Sequence, residues 1–425
     1  MGRNVFTLSI LLVCFVPIWR ASTLSPSTDT APPATIPVEQ WLNGSDREDF
    51  PWKVRIARQS LTFQQRHLVQ VLVTIKASAL LRNVTTRDLH FVIKVADTHG
   101  TWLNGQSYSH FVPTLDFAGN DLLQPTANLY LKPGNYTIAV LAYDTLHNAG
   151  NLWRSKLVVP SVNSPLGDLD RDFPVVEFLP AFEMPHELKT STPWALNHPA
   201  ELAPLMLDPL SLGHGKAHLP IANKYPVRID VIVNLSPGSQ PYLPYKYEEG
   251  LVLQIGNLLS QLEPQRGCVR FTAVDTLRQS VIVDRIDSHQ LDWDAISNRI
   301  ASVDLNVIDV RALKEKETAL WLKRSIERVT ADPAICSTRD SAARHVVIVV
   351  SAPFTFPLHA VVKPIDSALP PPRCYHLQLR FKSENWDQIG TILKPLNPTH
   401  LAVADGLAVR QKLAFLIADL ADSAE

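Results

Sequence analysis

Two short runs in the second half of the chain constrain its fold most, because each contains consecutive β-branched apolar residues. They are VRIDVIVNLS at 227–236 and RHVVIVVSAP at 344–353. A strand that is apolar on both sides must be covered on both faces, which is the situation of a strand inside a parallel sheet. We therefore expect a buried, mostly parallel sheet in this half of the chain.

Segments with helical periodicity separate these runs. The clearest are YEEGLVLQIGNLLSQL at 247–262 and ALKEKETALWLKRSIERV at 312–329. Two further short strands, CVRFTAVDT at 268–276 and SVIVDRIDS at 280–288, are joined by a tight turn. Strands that alternate with helices predict a sheet with helices on both faces, so we expect a doubly wound α/β domain over residues 226–425.

The first half of the chain has the period-two pattern of half-buried strands instead. HLVQVLVTIKA at 67–77 and LHFVIKVADT at 89–98 are examples, and they predict an all-β, immunoglobulin-like sandwich over residues 49–165. Tyr136, two residues after Pro133-Gly134, has the spacing of a tyrosine corner, and an ordinary Pro-Gly hairpin is the alternative. We interpret the proline-rich residues 166–225 as an ordered connector.

The N-terminus has the pattern of a secretory signal. Arg3 precedes the apolar run VFTLSILLVCFVPIW, and we predict a signal peptide at 1–22, with an uncleaved anchor helix as the alternative. Residues 23–48 are rich in Ser, Thr and Pro and are predicted to be a flexible spacer. The protein is therefore expected to be secreted or periplasmic, with no membrane span beyond the signal. The net charge of −1 and the pI near 6.9 argue against a nucleic-acid partner.

Residues 227–425 resemble a von Willebrand factor type A (VWA) domain. The two apolar runs carry the resemblance, together with the strand pair VRFTAVDTLRQSVIVDRID at 269–287. A β-sandwich placed before such a domain is similar to a group of exported bacterial proteins related to von Willebrand factor A. The resemblance implies a Rossmann-like, VWA-type fold whose ligands bind at the carboxyl ends of the strands.

The resemblance also implies that the metal-ion-dependent adhesion site of this family is degenerate here. Working members carry Asp-x-Ser-x-Ser after the first strand and an Asp after the fourth, which supply hard oxygen ligands to a divalent cation. In this chain Asn234 replaces the first Asp and Ser236 is kept, but Gly238 stands at the second Ser position with Ser239 one place late. Ala352 stands at the position of the later Asp. We therefore expect neither a metal ion nor another cofactor.

The same strand ends are still the candidate binding edge. The candidate ligand-binding residues are Asn234, Ser236, Ser239, Asp275 and Ser351. We expect a non-enzymatic protein that binds an unidentified protein partner in adhesion or scaffolding. No catalytic residue is predicted, since the chain has no Gly-x-Ser-x-Gly elbow and no phosphate-binding loop. A secreted hydrolase with a site at the strand ends and a structural envelope component are the alternatives, and the oligomeric state is open.

The cysteines suggest one disulfide. Cys14 leaves with the predicted signal, so Cys268, Cys336 and Cys374 remain. The sheet order of the family places the strands near Cys336 and Cys374 side by side, which implies a Cys336–Cys374 bridge. Cys268 is the rival partner, and free thiols are the other alternative.

Overall fold

The computed structural model of the protein describes most of the chain after residue 35. The described residues are 36–82, 84–113, 122–163, 165–167, 169–179, 212–236, 245–301, 315–331, 343–354, 363–366, 371–379 and 387–422. The predicted signal peptide at 1–22 lies outside them. Within the described residues, no helix combines the length and the apolar character that a membrane crossing requires.

Strands dominate the N-terminal part. They are β1 (Arg47–Glu48), β2 (Lys53–Leu61), β3 (His67–Lys76), β4 (Leu89–Ala96), β5 (Ser107–Phe111), β6 (Leu122–Leu123), β7 (Thr126–Leu131), β8 (Gly134–Asp144), β9 (Ala149–Val159) and β10 (Val176–Leu179), with short helices α1 (Val38–Leu42) and α2 (Ala77–Leu80).

These strands form two antiparallel sheets around one core. The orders are β1-β9-β8-β4-β5 and β10-β7-β3-β2, and β6 adds to β3. Alternate residues of β3 and β4 face inward, among them Val69, Val71 and Phe91, because successive side chains of a strand point to opposite faces. Burying each such side chain contributes about 1.5–3 kcal/mol to stability.

Helix α1 covers the outer face of the first sheet. Ile36, Val38 and Leu42 are buried against Val92 of β4 and Leu141 of β8. Residues 36–48 belong to the segment 23–48 that was predicted to be a flexible spacer, and in the structure they include α1 and β1. The apolar residues of α1 pack on the outer face of the first sheet. The Ser/Thr/Pro composition of the segment did not predict this packing.

The C-terminal part contains both strands and helices. Its elements are β11 (Leu219–Ile221), β12 (Val227–Asn234), α3 (Tyr245–Ser260), β13 (Leu262–Pro264), β14 (Gly267–Asp275), β15 (Ser280–Asp287), α4 (Trp293–Ala301), α5 (Glu315–Thr330), β16 (Arg344–Ser351), β17 (Arg373–Leu379), α6 (Ile389–Leu393), β18 (Thr399–Val403) and α7 (Gly406–Asp422), with two short 3-10 helices at Ser288–Gln290 and Lys394–Leu396.

Six of these strands form a mixed sheet in the order β15-β14-β12-β16-β17-β18. The central strand β12 pairs in parallel with β14 and β16 along its whole length, whereas the edge strand β15 is antiparallel to β14. Val231 of β12 packs in a cluster with residues of α3 and α7, and the adjacent Ile232 packs with residues of α5 and α6.

The predicted fold class is wrong for this molecule. Of the described residues, 42% are in strands and 25% in helices, with several antiparallel sheets, and they do not form a doubly wound α/β domain behind an immunoglobulin-like sandwich. The regular alternation is broken where β14 and β15 form an antiparallel hairpin. It is broken again between β16 and β17, where the described residues contain no helix. Apolar periodicity reports how deeply a segment is buried, but it does not set the direction of its pairing.

The two parts of the chain touch directly. The side chain of Gln65, in the turn between β2 and β3, donates a hydrogen bond of 2.9 Å to the carbonyl of Gly406. Phe63 of the same turn packs into the core of the C-terminal part. Asp405 caps α7, since its carboxylate accepts a 2.8 Å hydrogen bond from the backbone N–H of Ala408. The start of α7 is therefore held from both sides.

Candidate functional site

Three of the predicted site residues meet at the carboxyl ends of β12 and β14. The hydroxyl of Ser236 donates a hydrogen bond of 3.2 Å to Oδ1 of Asp275. The backbone N–H of Ser236 lies 3.3 Å from Oδ1 of Asn234, and the hydroxyl of Thr276 donates to the same oxygen at 2.8 Å. Because β12 and β14 are parallel neighbours, their ends share one edge, and Asn234, Ser236 and Asp275 form one hydrogen-bonded network with Thr276.

The negative charge of this network is neutralised by an ion pair. The carboxylate of Asp275 forms an ion pair with Arg278 and accepts the backbone N–H of Arg278 at 3.0 Å. Asn234, Ser236 and Asp275 are 1%, 2% and 3% exposed. The three side chains are therefore buried, and they support the neighbouring loops instead of forming a contact surface themselves.

Ser351 lies beside this network but bonds elsewhere. It is in register with Asn234 across β12 and β16, while its hydroxyl oxygen lies 3.0 Å from Nε2 of His376 on β17. Nδ1 of His376 is 3.9 Å from Oδ2 of Asp387, which is beyond hydrogen-bonding distance. The structure thus places Ser, His and Asp side chains in a row.

Burial sets the protonation of this row. It lowers the pKa of His376 to about 3, with a smaller contribution from the nearby His400, so the imidazole is neutral near neutral pH. Burial raises the pKa of Asp387, although its carboxylate accepts backbone N–H groups, including that of Phe354 at 3.2 Å. Sequence reasoning missed His376 and Asp387, because nothing in the sequence shows that they approach Ser351.

Two predicted positions, Ser239 and Cys336, lie outside the described residues. The predicted Cys336–Cys374 disulfide is not formed, since Cys374 is a free, buried thiol. Cys268 is disulfide-bonded instead. Strand adjacency was the basis of the prediction, but a disulfide also needs the two Cβ atoms within about 4.5 Å, which only the packing of the side chains determines.

Metal-ligating side chains come together in another part of the molecule. Among the residues that the structure describes, Asp88, His90 and His110 form the group of three whose ligand atoms lie within 4.8 Å of one another. These three residues were not predicted from the sequence. The available signal was Asp-Leu-His at 88–90, because residues two apart on a strand point to the same face.

Comparisons with known proteins do not assign a family. No protein-family model matches the chain, and no curated protein matches it. One similar solved structure is a family 123 glycoside hydrolase from Clostridium perfringens. It shares 7% sequence identity, with 83% of this chain and 72% of that chain covered, at a TM-score of 0.25. A likeness at this level carries no argument about function, and the resemblance to von Willebrand factor A stays a prediction.

Proposed function

We propose that this protein is exported and binds a protein partner, without a metal ion, through the loops at the carboxyl ends of β12 and β14. The observation that carries the proposal is the turn between β14 and β15. Its four residues are each held by a hydrogen bond: Thr276 to Asn234, Leu277 to Ser236, Arg278 to Asp275 and Gln279 to Thr318.

A turn held in this way is pre-organised for recognition. A flexible loop loses conformational freedom when it binds, at about 0.5–1.5 kcal/mol for each immobilised side chain, and a rigid turn avoids much of this cost. Gln279 also adopts a left-handed backbone conformation with φ of 49°, which the surrounding contacts maintain. Leu277, Arg278 and Gln279 are partly exposed, so the turn presents side chains as well as backbone.

We expect partner binding to need no metal ion, because the described residues at the carboxyl ends of β12 and β14 have no unpaired carboxylate to offset the charge of a cation. A hard divalent cation needs carboxylate oxygens to offset its charge. Asn234 is neutral, and the Asp275 carboxylate is paired with Arg278. A cation at this edge would have to break that ion pair, so partner binding is expected to be the same in magnesium and in a chelator.

Affinity capture from the exported fraction of the source cells tests the proposal. The full chain is the bait, and a captured protein is then purified and titrated against it. We expect Arg278→Ala to weaken binding at least about tenfold, since it removes both a contact side chain and an anchor of the turn. Lys224→Ala, in the loop before the amino end of β12, is the control and should bind normally, since Lys224 is exposed and lies at the end of the strand away from the turn. Equal binding by folded Arg278→Ala, or loss of binding in chelator, would contradict the proposal.

A secreted hydrolase is the second candidate, favoured by the row Ser351, His376 and Asp387. Such a row could activate a serine nucleophile. However, Ser351 and His376 are both fully buried, and an imidazole whose pKa is about 3 is a poor base near neutral pH. Labelling of Ser351 by a fluorophosphonate probe in the native protein would favour the enzyme over the binding protein, and we expect no labelling.

Export itself has a separate test. N-terminal sequencing of the protein from its source should find residues 1–22 removed, because a basic start and a short apolar run direct secretion. Recovery of the intact chain from the cytoplasm would argue against export while leaving the binding proposal to the capture experiment.

A further inference from the structure

Asp88, His90 and His110 lie together on the outer face of the first antiparallel sheet. His90 on β4 and His110 on β5 are direct cross-strand partners. Asp88 directly precedes β4, and its carboxylate lies 3.1 Å from Nε2 of His90. His90 is buried, whereas Asp88 and His110 are partly exposed. The cluster is therefore fixed by a strand pair and is reached from solvent on one side.

Both imidazole rings direct the same atom towards one carboxylate. Nε2 of His110 lies 2.5 Å from Oδ1 of Asp88, and Nε2 of His90 lies 3.1 Å from Oδ2. The two rings are stacked, with centroids 4.5 Å apart and an interplanar angle of 14°. Two nitrogen donors and a carboxylate thus converge on a single small space.

A second layer of groups orients these three side chains. The other ring nitrogen of His90, Nδ1, lies 2.8 Å from the hydroxyl of Tyr108. The hydroxyl of Thr145 hydrogen-bonds to the Asp88 carboxylate, and the backbone N–H of Asp88 donates to Oδ1 of Asp144 at 3.2 Å. Metal-ligating histidines and carboxylates are characteristically held by partners of this kind.

We propose that Asp88, His90 and His110 bind one divalent transition-metal ion, with zinc the expected metal, through the carboxylate and the two Nε2 atoms. Two imidazoles and one carboxylate form a borderline donor set that suits zinc and similar ions. Magnesium and calcium prefer all-oxygen sites, so they are expected to bind poorly here.

The Asp88 carboxylate is placed for this role. Its two oxygens face the two Nε2 atoms separately, Oδ1 towards His110 and Oδ2 towards His90, and the Thr145 hydroxyl holds it from another side. A bound ion would displace the protons between the imidazoles and the carboxylate, and since the protein supplies three ligands, at least one coordination position is left for water or for an external ligand.

The site is independent of the proposed partner-binding edge, which belongs to the mixed C-terminal sheet. It would join the edge strand β5 to β4 and to the segment before β4. An edge strand presents unpaired backbone groups and relies on few contacts. Metal binding is therefore expected to stabilise the folded protein as well as to offer an open coordination position.

Titration of the metal-free full-length protein with zinc tests the inference. We expect one ion per chain by calorimetry, competition by a chelator, and a rise in melting temperature. His110→Gln should weaken zinc binding more than about 100-fold, and Tyr108→Phe, which removes only a second-layer partner, about 10- to 100-fold. His99→Gln is the matched control, because His99 is exposed and lies in the turn after β4, outside the cluster and its second layer.

Circular dichroism of each variant confirms that it is folded, and His110 is the least disturbing ligand to change since it is partly exposed. X-ray absorption of the zinc-loaded protein should show nitrogen and oxygen neighbours and no sulfur. Failure of the folded wild-type protein to bind zinc would overturn the inference. So would unchanged zinc binding in folded His110→Gln, or loss of zinc binding in His99→Gln.

Discussion

Nε2 of His345 lies 2.8 Å from Oδ2 of Asp230, across the neighbouring parallel strands β16 and β12. The same carboxylate accepts a hydrogen bond of 2.8 Å from Arg270 on β14 and forms an ion pair with Arg228. Asp230 is 1% exposed. Three strands of the C-terminal sheet are thus joined by one buried charge that is fully paired.

Asp230→Asn should destabilise the protein by about 3–5 kcal/mol, because it leaves two buried or partly buried guanidinium groups without their anion. Urea denaturation measures the change. Asp284→Asn is the control, since Asp284 pairs with Arg285 and Arg328 at the surface and should cost less than about 1 kcal/mol. Equal effects of the two substitutions would show that the buried network contributes little.

Acid should weaken the protein partly through His376. Burial lowers the pKa of His376 from 6.5 to about 3 in the folded state, so the unfolded chain binds a proton that the folded protein does not bind within that range. Stability therefore falls as the pH drops below about 6.5, with a limiting slope of about 1.4 kcal/mol per pH unit. The free energy of unfolding is measured between pH 7 and pH 4. In His376→Gln it should fall less steeply with decreasing pH than in the wild-type protein.

The exposed His289 provides the comparison for that experiment. His289→Gln should leave the pH dependence as it is in the wild-type protein. The same slope in His376→Gln and in the wild-type protein would mean that His376 is protonated in the folded state.

Gly406→Ala should disrupt the contact between the N-terminal and the C-terminal parts of the chain. A Cβ at this position would lie 2.4 Å from the backbone carbonyl oxygens of Leu61 and Thr62, so either the turn after β2 or the start of α7 must move. We expect a loss of more than about 2 kcal/mol in thermal or urea unfolding. Gly390→Ala, whose Cβ would meet its nearest atom at 3.6 Å, should cost less than about 1 kcal/mol. A neutral Gly406→Ala would argue against the contact.

Cys374 should resist thiol reagents in the native protein. Burial raises the pKa of its thiol to about 12, and the thiolate is the reactive form. Mass spectrometry after iodoacetamide treatment should find Cys374 labelled only when guanidinium chloride is present. Labelling of Cys374 in the native protein within minutes, or its recovery in a disulfide, would contradict the assignment of a buried free thiol.

Much of the local structure could be predicted from the sequence. The apolar runs at 227–236 and 344–353 contain β12 and β16, because continuous apolar character requires a strand to be covered on both faces. The ends of parallel strands share an edge, so the meeting of Asn234 with Asp275 was also within reach of sequence reasoning. The predicted fold class failed, since local periodicity does not specify how complete elements are ordered and connected.

By itself, the sequence determined that the two apolar runs form β12 and β16 and that the two segments with helical periodicity form α3 and α5, because such properties depend mainly on neighbours along the chain. Only the tertiary structure decided which distant side chains meet. It paired Ser351 with His376, left Cys374 unbridged and brought His110 to Asp88 and His90. Contacts of this kind depend on strand register and side-chain packing over long sequence separations, and no local pattern encodes them.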